Sequence, residues 1–186
     1  LKDGDPSDGL EQQVRLMREQ ADAMERQLYE NLTPWNTVQI ARHQKRPTAR
    51  DYIENAFDQF EELHGDRAFR DDLAIVTGLA RIGQRRFVVV GQHRGRNVEE
   101  RHLSHAGCAH PEGYRKALQK MKMAERFGLP VVSLIDTKGA YPGIGAEERG
   151  QGIALAENIR DMSLLRVPVL CIVIGEGGSG GALALG

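Results

Sequence analysis

Apolar residues recur every three or four positions along the first part of the chain. The set is Leu10, Val14, Met17, Ala21, Met24 and Leu28, with mostly charged or amide residues between them. This spacing places one apolar stripe along an α-helix. We predict an amphipathic helix whose stripe packs on the protein's own body or on another subunit. A coiled-coil seam is the alternative, although such a seam normally extends over more heptads.

Proline and capping signals divide the segment that follows. Pro34 ends the periodic run, and a second helical piece is predicted over residues 36–43. Pro47-Thr48 followed by Asp51 is typical of a helix start, and this helix is expected to end near His64-Gly65. Its apolar positions are Tyr52, Ala56, Phe57 and Phe60.

The pattern changes from helices to strands after this point. Residues 74–80 and 86–91 are short runs rich in apolar and β-branched residues, and Ile82-Gly83-Gln84 between them predicts a β-hairpin. We therefore expect residues 1–65 to form a helical appendage for subunit assembly. Residues 66–186 are expected to form part of a globular α/β domain.

Two helix–strand units follow the hairpin. The predicted segments are a helix over 112–127, a strand over 129–136, a helix over 152–165 and a strand over 167–174. Each strand leads into a glycine-rich turn, at residues 139–143 and 175–181. Successive units of this kind connect right-handedly, so both turns are expected at the carboxyl edge of one sheet. That edge is where a ligand site is expected.

Composition narrows the function classes. The 186 residues include 25 Lys and Arg against 26 Asp and Glu, so no broad basic surface for nucleic acid or an anionic membrane is expected. Cys171 lies in an apolar run and Cys108 is the only other cysteine, which argues against a disulfide framework and for a cytoplasmic compartment. No membrane span is predicted.

Because the chain starts at Leu1 and stops at Gly186 just after a helix start, we expect both ends to be truncated.

Glycine-rich turns let backbone N–H groups approach a ligand closely and stabilise an oxyanion without a charged side chain. Other readings of the second turn stay open. Gly175, Gly177 and Gly180 fit the dinucleotide pattern G-x-G-x-x-G. Gly177, Ser179 and Gly181 fit the G-x-S-x-G nucleophile elbow of hydrolases. Tight helix–strand packing alone is the structural alternative.

A histidine-rich segment between the hairpin and the first unit raises a second possibility. Residues 102–110 carry three histidines and Cys108, so a zinc site is one hypothesis. A mobile loop near a ligand is the other, because zinc ligands usually come from two chain segments. Arg94 and Arg96 follow a predicted strand and either present a guanidinium to a phosphate or lie on a solvated loop.

Several runs resemble the alpha subunit of the bacterial and plastid-type acetyl-CoA carboxylase carboxyltransferase family. They are Pro111-Glu-Gly-Tyr-Arg-Lys-Ala-Leu, Met123-Ala-Glu-Arg-Phe, Ile135-Asp-Thr-Lys-Gly-Ala-Tyr-Pro-Gly, Gly145-Ala-Glu-Glu-Arg-Gly-Gln and Val173-Ile-Gly-Glu-Gly-Gly-Ser-Gly-Gly-Ala-Leu-Ala. The resemblance extends from about Leu10 to Gly186 and is most specific from Pro111 onward.

The resemblance implies a crotonase-type ββα spiral with its C-terminal part truncated. It implies transfer of a carboxyl group from carboxybiotin, on a biotin carboxyl carrier protein, to acetyl-CoA. The product is malonyl-CoA, in the first committed step of fatty-acid synthesis within an ATP-dependent complex that includes biotin carboxylase. It further implies a beta subunit that carries the zinc and most of the CoA pocket, an α2β2 assembly, and a cytoplasmic or plastid-stromal location. No metal is expected on this chain.

The resemblance also assigns roles by position. The backbone N–H groups of Gly180 and Gly181, with those of Gly139 and Ala140 opposite, are expected to surround the biotin carbonyl and perform the catalysis. The residues expected to bind the cofactor are Tyr141, Gly177, Gly178 and Arg94. Residues 147–149 are expected to shape the pocket.

Two positions depart from the family pattern. Lys138 stands where the family normally has proline, so the first turn loses a restricted φ angle. The loop 102–110 also differs from the usual Asn-Phe-Gly-Met type of run.

The rival functions are a crotonase-type acyl-CoA hydratase or isomerase and a non-catalytic assembly subunit. A hydratase or isomerase needs an acid–base carboxylate, for which Glu147, Glu148 and Glu176 are candidates.

Overall fold

A computed structural model describes residues 6–186 and divides the chain into two compact units, with the boundary along the sequence between Ile40 and Ala41. The expectation about the start of the chain concerns residues 1–5, which lie outside the described range. Within residues 6–186, no helix combines the length and the apolar character that crossing a bilayer requires.

The first unit is helical. α1 spans Pro6–Glu30 and α2 spans Pro34–Ala41, so both predicted helices are confirmed. α2 begins earlier than predicted because proline is favoured at the first position of a helix, and Thr33 Oγ1 accepts the Asn36 N–H at 3.2 Å. The large apolar side chains of the α1 stripe are exposed, up to 70% at Leu28. What the stripe packs against stays a prediction.

The second unit contains a five-stranded sheet, six α-helices and one short 3-10 helix, His105–Gly107, within the described residues. In chain order these are α3 Ala49–Ala56, β1 Gln59–Glu62, β2 Ile75–Ile82, β3 Arg85–Gln92, α4 Val98–Leu103, α5 Pro111–Phe127, β4 Val131–Thr137, α6 Ile144–Glu148, α7 Gln151–Met162, β5 Val169–Gly177 and α8 Ser179–Leu183.

The strand order is β1-β2-β3-β4-β5. β1, β2 and β3 pair antiparallel, whereas β3, β4 and β5 pair parallel with helices in the connections. The predicted hairpin and the two predicted helix–strand units are therefore confirmed. An antiparallel hairpin followed by helix-connected parallel strands is the ββα arrangement expected for a crotonase-type fold.

Two apolar layers cover the sheet. α5 and α7 bury a cluster on one face that includes Ile75, Tyr114 and Met121. On the other face, Ile53 of α3 packs with residues such as Val89. All seven residues of β4 are buried, which is typical of a central strand covered on both sides.

The predicted end of the third helix and the predicted domain boundary differ from the structure. α3 ends at Ala56, and Phe57 is extended at φ −111° and ψ 139°. Phe60 then lies in β1, where it pairs opposite Ala80 of β2. The spacing of Phe57 and Phe60 fits a helical stripe, but pairing with β2 satisfies the backbone of this segment instead. Because α3 and β1 pack with the sheet, the second unit begins well before residue 66.

The packing of α5 predicts a stability difference between two of its residues. Met121 is fully buried against the sheet, whereas Phe127 at the end of the same helix is 70% exposed. Met121→Ala should lower the free energy of unfolding by about 2–4 kcal/mol because it leaves a cavity. Phe127→Ala should change it by less than about 0.5 kcal/mol. Equilibrium urea denaturation measures both, and equal losses would contradict the described packing.

Candidate functional site

The two glycine turns meet at the carboxyl edge of the sheet. Gly178 N donates to the carbonyl oxygen of Thr137 at 2.9 Å. A Cβ added to Gly181 would lie 2.5 Å from Ala140 N and 2.6 Å from the carbonyl carbon of Gly139. Because those distances are shorter than any normal Cβ contact, only glycine fits at position 181. The two turns therefore touch through backbone atoms, at the edge that the repeat predicts.

Three backbone N–H groups at this contact are free. Within residues 6–186, the N–H groups of Ala140, Gly180 and Gly181 have no acceptor. Gly139 differs, since its N–H donates to Thr137 Oγ1 at 3.0 Å while its carbonyl oxygen accepts from the same hydroxyl at 2.8 Å. The expectation that Gly139 is a free donor is therefore wrong in this conformation. Its φ of +152° is instead the feature that requires glycine.

A buried glutamine, which the sequence analysis missed, joins the second glycine turn to the end of β4. Gln92 is fully buried at the end of β3. Its Nε2 donates to the carbonyl oxygen of Gly181 at 2.8 Å, and its Oε1 accepts the Asp136 N–H at 3.1 Å. This side chain thus holds the start of α8 against the end of β4. An amide that ends an apolar strand is the sequence signal that points to it.

A buried ion pair, also missed, shapes the end of β5. Arg46 Nη2 lies 2.6 Å from Asp136 Oδ1, and Arg46 Nε donates to Asp136 Oδ2 at 3.0 Å. Asp136 Oδ1 also accepts the Glu176 N–H at 2.9 Å. The β4–β5 register shifts at this point, so the Asp136 carboxylate fills an irregularity in the strand pair. Gly175 leaves the room for it, because a Cβ there would collide with both Arg46 and Asp136.

Arg94 lies beside this ion pair. Gly107 lies close to both Arg94 and Asp136. A Cβ added to Gly107 would be 3.6 Å from the Cα of Arg94 and 2.7 Å from the carbonyl oxygen of Asp136. Arg94 Nε and Nη1 are buried and have no partner among the described residues. Burial lowers the pKa of Arg94, and the nearby charge of Arg46 lowers it further. Two unsatisfied guanidinium donors at the carboxyl edge suit an anionic or carbonyl oxygen.

The histidine-rich loop packs on the first glycine turn. The His110 and Tyr141 rings stack at 4.1 Å between centroids, and His105 lies 4.5 Å from His110 and 4.8 Å from Tyr141. Tyr141 N donates to the carbonyl oxygen of Ala109 at 3.0 Å. His105 and Ala106 have left-handed φ angles of 47° and 52°, a strained conformation that accompanies this packing.

The histidine-rich loop, as the structure describes it, does not bring together a set of zinc ligands. Within the part of the chain that the structure describes, no three His, Cys, Asp or Glu side chains gather in a metal-binding group. Two of the histidine rings are occupied by aromatic packing instead. Burial raises the pKa of the Cys108 thiol, which keeps it in the neutral form.

Comparison with known proteins shows the family of this chain. Residues 2–186 match the family described as acetyl co-enzyme A carboxylase carboxyltransferase-like. The chain belongs to this family. The acetyl-coenzyme A carboxylase carboxyl transferase subunit alpha of Rhodopirellula baltica is 54% identical over 182 residues, which are 98% of this chain and 57% of that relative. The corresponding subunit of Salmonella paratyphi C is 52% identical over 95% of this chain and 56% of its own length. The chain thus spans little more than half the length of these relatives.

Solved structures support the fold. Transcarboxylase 12S, determined as a hexamer with methylmalonyl-coenzyme A bound, superposes with a TM-score of 0.65 at 24% identity, over 78% of this chain and 26% of that one. A single-chain, multi-domain long-chain acyl-CoA carboxylase superposes with a TM-score of 0.63 at 27% identity, over 79% of this chain and 15% of that one.

In this family member, one of the residues expected to shape the pocket, Arg149, is anchored to α5. Arg149 donates to the fully buried carboxylate of Glu112 through Nη2 at 3.0 Å and Nε at 3.2 Å. Gln151 Nε2 donates to the carbonyl oxygens of Ala109 and Tyr141 at 2.9 and 3.0 Å. These bonds join the histidine-rich loop, the first glycine turn and the start of α7.

The remaining predicted positions lie in or next to the two turns and on α6. Gly177 and Lys138 are exposed, and Gly178 packs directly against the carbonyl oxygen of Lys138. Glu147 and Glu148 are exposed on α6. The structure therefore places these carboxylates on a surface helix and the lysine on the outside of the first turn.

The contact between the turns predicts opposite outcomes for two neighbouring glycines. Gly181→Ala should lower the free energy of unfolding by about 1–3 kcal/mol, because the added methyl group collides with the Gly139–Ala140 backbone. Gly180→Ala places its Cβ 3.7 Å from Leu155 Cδ1, which is ordinary contact, and should be neutral or stabilising by up to about 1 kcal/mol. Urea denaturation of both variants checks this. Equal effects would rule out the close contact.

The burial of His110 predicts that the folded protein loses stability as the pH falls. Burial lowers the pKa of His110, although the nearby Asp72 opposes the shift. As the pH falls, His110 therefore binds a proton in the unfolded chain before it does so in the folded chain. The contribution of neutral His110 to the free energy of unfolding is fully present above pH of about 6.5 and is lost as the pH falls below that value. His110→Phe should lose less stability than the wild type between pH 7 and pH 5, whereas exposed His102→Phe should follow the wild type. Thermal unfolding at both pH values measures the difference; parallel losses in all three proteins would contradict it.

Proposed function

We propose that this chain is the catalytic part of the alpha subunit of an acetyl-CoA carboxylase carboxyltransferase. The subunit transfers the carboxyl group of carboxybiotin to acetyl-CoA and so forms malonyl-CoA for fatty-acid synthesis. The observation that carries the proposal is the contact of the two glycine turns, which leaves three backbone N–H groups free at one place. Carboxyl transfer develops negative charge on carbonyl oxygens, and this is the charge that such donors stabilise.

The residues present fit the biotin group. When bound, carboxybiotin supplies both the carboxyl group and the base that removes a proton from the acetyl methyl group. The chain's own contribution is electrostatic, with Gly180 N, Gly181 N and Ala140 N donating to the oxygen on which charge develops. Each such donor is worth about 3 kcal/mol of barrier. The orphaned Nε and Nη1 of Arg94 add a positive charge at the same edge of the sheet.

Other side chains position these donors. Thr137 holds the Gly139 peptide through its hydroxyl, so Gly139 acts by orienting the turn. Tyr141 is braced by two histidine rings and forms an aromatic wall beside that turn. The Glu176 carboxylate is paired with Arg46 at 3.5 Å and with Arg42 at 3.4 Å. These pairs favour a structural role for Glu176 over the acid–base role that a hydratase would need.

We place the acetyl-CoA pocket and the zinc on a separate beta subunit, in an α2β2 assembly. The biotin is presented on a carrier protein that biotin carboxylase loads with ATP. The exposed apolar stripe of α1 supports an assembly role for the first unit. The compartment proposed is the cytoplasm, or the plastid stroma in a plant.

The test of this function is the malonyl-CoA-dependent carboxylation of free biocytin. The full-length chain is mixed with a candidate beta subunit, and each protein alone is the control. Activity only in the mixture is the expected result. Turnover of an enoyl-CoA without biotin would instead indicate a hydratase or isomerase. A complex that forms without any transfer would indicate an assembly subunit.

The Gln92 bridge predicts the effect of one substitution in that assay. Gln92→Leu should lower kcat by about 10- to 100-fold, because the Gly181 peptide loses the group that orients it. The KM for malonyl-CoA should change by less than about threefold, since the CoA pocket is assigned to the partner. Gln84→Leu, the same change on the exposed β2–β3 turn, is the matched control and should behave as the wild type. A change in KM alone would contradict the positioning role.

A further inference from the structure

A serine in the second glycine turn has a backbone conformation that serine rarely adopts. Ser179 is the first residue of α8 and has a φ of 57°. Glycine occupies this left-handed region without strain, whereas a residue with a Cβ is strained there. The turn 175–181 already contains five glycines. A serine at position 179 therefore keeps a strain that one more glycine would remove.

The fold gives no reason for this serine. Arg67, with a φ of 62°, shows what such a reason looks like, since Asp66 Oδ1 accepts the N–H groups of residues 68–70 at 2.8–3.1 Å and so fixes the turn. The Ser179 side chain is exposed, and its Oγ makes no hydrogen bond within residues 6–186. Strain that the surrounding contacts do not explain points to a functional role for the side chain.

The Ser179 side chain lies at the contact of the two glycine turns. A Cβ added to Gly139 would be 3.6 Å from the Cβ of Ser179, so the serine covers the first turn at that residue. The next two residues of the chain are Gly180 and Gly181, whose N–H groups are free. The hydroxyl, one bond from this Cβ, is therefore an additional donor among the free N–H groups of the site.

The hydroxyl does not have the surroundings of a nucleophile. The G-x-S-x-G pattern of residues 177–181 and the strand–turn–helix context both match a nucleophile elbow. A nucleophilic serine also needs a base within hydrogen-bonding distance, and no described residue accepts from Ser179 Oγ. A hydroxyl without a base keeps its proton, so the role open to it is hydrogen-bond donation.

We propose that Ser179 is a further catalytic residue of the carboxyl transfer. Its hydroxyl donates a hydrogen bond to the oxygen that the N–H groups of Gly180 and Gly181 stabilise, and the inference rests on that proposed function. The proton stays on Ser179 throughout, so the group stabilises charge and transfers nothing. The hydroxyl rotates about its bond to Cβ, whereas the N–H groups are fixed in the backbone. It therefore follows the oxygen as charge develops there.

Ser179→Ala separates the hydroxyl from the backbone conformation. Alanine is strained in the left-handed region as serine is, so the melting temperature should stay within about 1 °C of the wild type. In the biocytin assay kcat should fall about 10- to 100-fold, because one donor to the developing charge is lost. The KM for malonyl-CoA should change by less than about threefold. An unchanged kcat overturns the proposal, and so does a melting temperature that falls by more than about 3 °C.

Glycine variants separate the catalytic role from the strain. Ser179→Gly should raise the melting temperature by about 1–4 °C and still lower kcat about 10- to 100-fold. Arg67→Gly is the matched control, because it relieves the same left-handed strain on an exposed loop between β1 and β2. It should raise the melting temperature by a similar amount and leave kcat unchanged. A Ser179→Gly variant with wild-type kcat contradicts a role for the hydroxyl.

A binding measurement keeps the proposal testable when no transfer is observed. Biocytin is titrated into the full-length chain without malonyl-CoA and followed by NMR. Wild-type protein and Arg67→Gly should bind alike, and Ser179→Ala should bind about 2- to 5-fold more weakly, because it has lost one hydrogen bond to the carbonyl oxygen. If the mixture with the beta subunit transfers nothing, the proposed function fails, whereas weaker binding by Ser179→Ala still supports the hydroxyl contact. Equal affinity of the two proteins, or no binding by the wild type, overturns it.

Discussion

The backbone contact between Gly181 and the Gly139–Ala140 peptide is the constraint on which the rest of the site depends. A single methyl group at position 181 would not fit there. The contact requires β4 and β5 to end side by side, and the parallel pairing of these strands provides that alignment. The turns touch through backbone, so no side chain separates Gly181 from Ala140, and the proposed transfer would rely on backbone dipoles that are fixed in advance.

Buried polar groups hold this contact in place. Gln92 links the second glycine turn to the end of β4 through one donor and one acceptor, and the pair of Arg46 and Asp136 fills the irregularity where β5 leaves its register. Breaking a buried pair leaves an uncompensated charge, so such groups are costly to lose even when they add little net stability. They specify one arrangement of the turns.

The sequence predicted the regular elements well and the polar contacts poorly. Apolar periodicity located α5, α7, β4 and β5, since each of these buries a face whose spacing is visible in the chain. The spacing of Phe57 and Phe60 predicts a helix that includes Phe60, because two aromatic residues at helical spacing do not reveal that an edge strand pairs there. The glycine pattern predicts a free N–H at Gly139, because it does not show that a hydroxyl two residues away accepts this N–H.

By itself, the sequence determined the order of elements, the two glycine turns and the family, because these depend on residue spacing and residue identity along the chain. Only the tertiary structure decided which N–H groups are free, which charges are paired and which side chains join the turns. Arg46 and Asp136 are 90 residues apart, and Gln92 and Gly181 are 89 residues apart. Contacts of that range follow from how the helices and strands pack together, and no local pattern of residues encodes them.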